Sequence, residues 1–143
     1  VDVAVVGRNA FFSYDSFGIV CYRMSDLIAP LPVGVDPTKI WKVEGGEVLY
    51  DHRPEAVVRF RIQDVPGFED VSGGALNMSV VQQGGVVFHV AYGVAGTATI
   101  LWDNPATPVL LQLVPTPGEA ASAVQQGGRL FVADGAGGLV FFD

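Results

Sequence analysis

Along this chain the apolar positions fall in short runs, rich in β-branched and aromatic residues and closed by glycine, aspartate or proline. The clearest pair comes last: Leu130–Ala133 and Leu139–Phe142, separated by the glycine-rich stretch Asp134–Gly138. Short apolar runs bounded by such residues read as strands, and two around a tight turn read as a hairpin. No segment of helix length carries the apolar period of a helix. The pattern is that of an all-β chain.

The hairpin recurs. A shift of 120 positions sets Gly7 on Gly127, Phe11 on Phe131, Gly18 on Gly138 and Val20 on Val140 without a gap. A shift of 38 puts Leu49, Val57, Val58 and Phe60 on Phe11, Ile19, Val20 and Tyr22. The string VQQGG occurs at both Val81–Gly85 and Val124–Gly128, 43 positions apart, and three extra residues then precede Ile100–Asp103, set on Val140–Asp143. Four copies are expected, at about 1–36, 37–74, 75–117 and 118–143, the last lacking its outer strand. Self-similarity at this period marks a propeller, a solenoid or an array.

The strands expected in the first copy are Val1–Gly7, Ala10–Tyr14, Gly18–Arg23 and the proline-bearing outer stretch Ala29–Val33. In the second they are Lys39–Val43, Glu47–Tyr50, Ala56–Ile62 and Asp64–Glu69, and in the third Leu76–Val81, Val86–Tyr92, Thr97–Asp103 and Pro108–Val114. Radial repetition of four-stranded antiparallel sheets, a β-propeller or a segment of one, organises such a series. One region then spans residues 1–143.

Composition narrows the function classes. Half of the 143 residues are hydrophobic, yet no apolar stretch is long enough for a transmembrane helix, and strands buried on both faces account for the excess. The 18 glycines and 9 prolines suit many turns. Eight basic residues against 15 acidic give a net charge of −7, with no cluster of Lys and Arg to neutralise phosphates, so neither nucleic acid nor membrane insertion is expected. A single cysteine excludes an internal disulfide, and the start at Val1, without Met or leader, reads as a trimmed product.

Candidate chemistry is sparse. Phosphate-loop, dinucleotide, zinc-protease, nucleophile-elbow and calcium-loop motifs are all missing. With two histidines and one cysteine, no metal or other cofactor is expected. The most polar spot is the turn Asp51-His52-Arg53-Pro54-Glu55, which shares its repeat position with Asp15–Gly18, Tyr92–Gly96 and Asp134–Gly138. Candidate binding residues are therefore Asp15, Asp51, His52, Arg53, Glu55, Tyr92 and Asp134, beside the plainer reading of solvated, capped turns. His89 between Phe88 and Val90 reads as a satisfied inter-strand residue and Cys21 as a small buried hydrophobe. Trp102 reads as packing at the Phe142 position. Arg59 and Arg61 are expected to pair with Asp103 and its equivalents, and Gly135–Gly138 to turn through positive φ rather than cradle phosphate.

The strings LFVADGAGGLVFFD, ILWDNPATPVLL and VAVVGRNAFF resemble the LVIVD-repeat proteins, β-propellers of bacterial and archaeal cell surfaces. The match is good in the third and fourth copies, fair in the first and weak in the second, where Tyr50-Asp51-His52-Arg53 replaces VADG. The resemblance implies a propeller, a cell-surface or extracellular location and no catalytic motif. It also places the candidate loops on one face near a central channel. The expectation is a non-enzymatic module making protein or glycan contacts. The alternatives are an enzyme or metal-binding propeller using Asp15, Asp51, His52 and Asp134 at the channel mouth, and a structural subunit of a larger assembly. An incomplete ring would leave a bare apolar face at each end. A face on the order of 600 Å² forfeits roughly 15 kcal/mol, so the expected partner is a second copy of the chain or the remaining blades of a longer propeller.

Overall fold

The computed structural model describes residues 2–27, 41–44, 47–50, 56–82 and 84–143. Three antiparallel meanders dominate, and none closes on itself. The first starts with β1 (Asp2–Val6), β2 (Asn9–Ser13) and β3 (Ile19–Arg23), followed by a single helical turn, Met24–Leu27. Next come β4 (Trp41–Glu44) and β5 (Glu47–Tyr50), which pair with each other as a separate hairpin. Strand β6 (Val58–Phe60) then returns to β3, completing the order β1-β2-β3-β6. The second sheet is β7 (Asn77–Val81), β8 (Val87–Ala91), β9 (Thr97–Leu101) and β10 (Val109–Val114). The third is β11 (Ser122–Gln126), β12 (Arg129–Ala133) and β13 (Leu139–Phe142).

The repeat is thus corrected in two places. Val58 and Phe60 belong to a fourth strand of the first sheet, not to a third strand of a second copy, and the outer strand expected at Asp64–Glu69 does not form: a 3-10 turn, Ile62–Asp64, runs on into turns and irregular backbone there. In the third copy the extra residues sit in the β7–β8 connection. Thr97 faces Ala91 as Leu139 faces Ala133, so Ile100 takes the place of Phe142 rather than Val140. The slip is two residues, which keeps every side chain on its own face, and that is why the apolar pattern alone did not expose it. The expected strand Ala29–Val33 lies outside the described residues.

Each sheet stacks on the next in one direction. Phe11, Ile19 and Cys21 of the first sheet meet Phe88, Val90 and Ile100 of the second in the main core. Phe11, Phe88, Phe60 and Trp102 form an aromatic knot there, with Phe11 4.7 Å from Phe88 and 4.9 Å from Trp102. The indole N–H of Trp102, just past β9, donates to Pro105 O at 3.0 Å. The opposite face of the second sheet meets the third through Ala91, Ala123 and Val132. By register, the face of a sheet carrying Phe11, Ala91 or Phe131 is always its forward face.

The first strands carry a second repeat of this order. β7 lies beside β1 and beside β11. The Asp2 carboxylate accepts from Asn77 Nδ2 at 3.0 Å and from Met78 N–H at 2.9 Å. Asn77 Oδ1 in turn accepts from Ser122 Oγ and Ala123 N–H, both at 3.1 Å. Asp2, Asn77 and Ser122 occupy one position of the repeat, so a single rule links each sheet to its successor.

Candidate binding surfaces

The turn between the second and third strands is the same in all three sheets. Tyr14, Tyr92 and Asp134 each donate a backbone N–H at 2.8 Å to the glycine that ends the turn, Gly18, Gly96 or Gly138. The next residue has positive φ in each: Asp15 at 51°, Gly93 at 63° and Gly135 at 55°. Asp15 bridges to Ala75 and Gly93 to Ala120, so each of these two turns is tied to the segment leading into the following sheet. Glycine at the turn's end has a local cause. At Gly18 a Cβ would strike the Phe60 carbonyl, and at Gly96 that of Val114.

This geometry separates the candidate residues. Asp15 is exposed, with Oδ1 against Gly74. Tyr92 is fully buried; its hydroxyl accepts from Ile62 N–H at 3.2 Å and donates to Gln63 Oε1 at 3.4 Å, and burial pushes its pKa up. Asp134 is also fully buried, and its Oδ2 accepts from Gly118 N–H at 2.7 Å. Tyr92 and Asp134 each clamp the segment that enters their own sheet instead of facing solvent. Asp51, His52, Arg53 and Glu55 lie outside the described residues. Among the described residues, no three His, Cys, Asp or Glu side chains gather as metal ligands.

The charged strand residues also find local partners. Arg61 pairs with Asp64 at 2.8 Å, and the Arg59 guanidinium lies 4.4 Å from the Phe17 ring centre. Asp103 accepts from Val86 N–H at 2.6 Å, which corrects the expected pairing with the arginines. Cys21 is buried, as its place opposite Phe11 requires, and burial pushes its thiol up to about 11.

A cleft of about 530 Å³ opens between the second and third sheets, where small alanines give way to polar side chains. His89, Thr97, Thr99 and Gln112 line one wall, and Gln125 and Phe142 the other. His89 Nδ1 is 3.4 Å from Thr99 Oγ1, and burial lowers the imidazole pKa, keeping the ring neutral near pH 7. A sequence signal for this wall existed: His89, Thr97 and Thr99 alternate with apolar residues on adjacent strands, marking one polar face.

Each end of the stack carries exposed apolar side chains, while Ala10 and Val20 on the rear face of the first sheet are buried. The rear face of the first sheet presents Val3 at 55% and Val5 at 58% exposure. The forward face of the third presents Val124, Phe131, Leu139 and Phe141, with Leu139 at 71%. Comparison with protein-family models, with curated proteins and with solved structures finds no match. Among the described residues, no helix is long and apolar enough to cross a membrane.

Proposed function

We propose that this chain is a β-propeller segment acting as a non-enzymatic binding or structural module, at the cell surface or outside the cell, in contact with protein or glycan. The observation that carries this reading is the one-directional stacking of the sheets, which leaves a rear face at Val3 and Val5 and a forward face at Leu139 and Phe141. Apolar faces of this kind mark association sites. Because forward meets rear at both internal junctions, the partner surface is heterologous: a second copy docks head to tail, or further sheets of a longer propeller do. Such contacts close into rings when the rotation allows. The resemblance to LVIVD repeats supports the propeller form and the location. Sedimentation velocity tests the association: particles larger than the 15.1 kDa chain are expected, dissociating in both Val5→Glu and Leu139→Glu. A monomer at every concentration would overturn it.

A further inference from the structure

A cavity of about 800 Å³ lies at the β1–β2 turn of the first sheet, facing the β9–β10 connection of the second. Arg8 and Arg23 both line it. Arg8 sits in a two-residue turn, opened by Gly7 at φ 57° and closed by the Val6–Asn9 pair. Its carbonyl accepts from Met24 N–H at 2.8 Å, and Arg23 is the cross-strand partner of Asn9. Backbone pairing therefore brings both arginines to one end of the sheet. The facing loop, Asn104–Ala106, is fixed as well. Beyond the Trp102 bond to Pro105 O, Asn104 Oδ1 accepts from Ala106 N–H and Asn104 O from Thr107 N–H, both at 3.0 Å.

Cations are scarce in this chain, eight against 15 acids. Arg59, Arg61 and Arg129 are engaged elsewhere, over the Phe17 ring, with Asp64 and with Asp143. Arg23 reaches Asp26 only at 3.6 Å, with both side chains exposed. Among the described residues Arg8 makes no ion pair, and no Asp or Glu lines the cavity. Two guanidiniums against the single Asp26 carboxylate leave an excess of one positive charge at this spot, in a molecule of net charge −7.

We infer that this cavity binds a small monocarboxylate with an apolar body. A guanidinium fork matches the two oxygens of a carboxylate, and such charge-assisted bonds are about twice as strong as neutral ones. A single excess charge favours a carboxylate over a phosphate dianion, which the acidic molecule as a whole repels more strongly. Met24, Val57 and Pro105 add apolar wall beside the arginines. The volume falls in the usual range of ~300–1,000 Å³ for small-molecule sites, which leaves room for a body beyond the charged group. The inference rests on the charge and walls of this cavity and stands apart from the association and cellular role proposed above.

The test follows the Arg8 and Arg23 Nε–H signals of the isotope-labelled full chain by NMR. Acetate, benzoate, neutral benzamide and inorganic phosphate are titrated at constant ionic strength. Saturable shifts are expected with benzoate, weaker binding with acetate, which lacks the apolar body, and none with benzamide. Benzoate affinity should fall about tenfold or more in Arg8→Gln and in Arg23→Gln, since each removes a charged donor. Arg59→Gln should leave it unchanged. Should either glutamine variant fail to fold, Arg8→Lys, which keeps the charge without the fork, is expected to bind benzoate more weakly than the parent chain. No saturable shift with benzoate, equal binding of benzamide, or the same affinity in the Arg8 and Arg59 variants overturns the inference. Phosphate binding more tightly than benzoate overturns the carboxylate assignment.

Discussion

Asp134→Ala removes the fully buried carboxylate that accepts from the half-buried Gly118 N–H at 2.7 Å. Leaving that donor unpaired costs about 1–3 kcal/mol, which urea unfolding will register as a lower midpoint at unchanged slope. Nothing in the string Ala-Asp-Gly distinguishes such a clamp from a solvated turn, because its partner lies in another segment of the chain. Cys21 was legible, since its position in the repeat is an apolar one. Its buried thiol should resist iodoacetamide in the native chain and react on unfolding. Linkage gives it a pH signature. Above pH 9.0 the unfolded chain loses the thiol proton while the folded chain keeps it up to about 11, so stability falls through that window, and Tyr92 acts in the same sense. His89 works on the other side: as pH falls through 6.5 the unfolded imidazole binds a proton that the folded one resists, so stability falls with acid. Unfolding midpoints across pH should show the alkaline limb flattened in Cys21→Ala and the acid limb flattened in His89→Gln.

Elements, rather than single residues, explain why one glycine serves two purposes. Gly18, Gly96 and Gly138 all have positive φ, for which an alanine costs on the order of 1–2 kcal/mol. At Gly18 and Gly96 the added methyl also strikes a fourth-strand carbonyl, while at Gly138 it meets nothing. Gly18→Ala and Gly96→Ala are therefore expected to lower the unfolding midpoint clearly more than Gly138→Ala, and equal losses would contradict the shared geometry. The strands themselves were largely readable, since β-branched and aromatic runs between glycines leave little choice of secondary structure. Pairing was less so. Val58 and Phe60 look like a third strand because their apolar spacing matches Val20 and Tyr22, yet they pair across the β4–β5 hairpin with β3. Periodicity reports the face of a strand and is blind to which neighbour it joins.

For the whole molecule, the decisive feature is direction: forward face on rear face at both junctions, with the first-strand chain Asp2–Asn77–Ser122 repeating the same sense. An incomplete ring of repeats leads to the expectation of apolar end faces; the register says which exposed residues lie on them, Val3 and Val5 at the rear and Leu139 and Phe141 in front. The most direct measurement is a mixed cross-linking experiment in a Cys21→Ser background. Chains carrying Val5→Cys are combined with chains carrying Leu139→Cys under mild oxidation, and each is also oxidised alone. Head-to-tail stacking predicts disulfide-linked dimers in the mixture and not in either chain by itself. Cross-links within each separate sample, or none in the mixture, would contradict it.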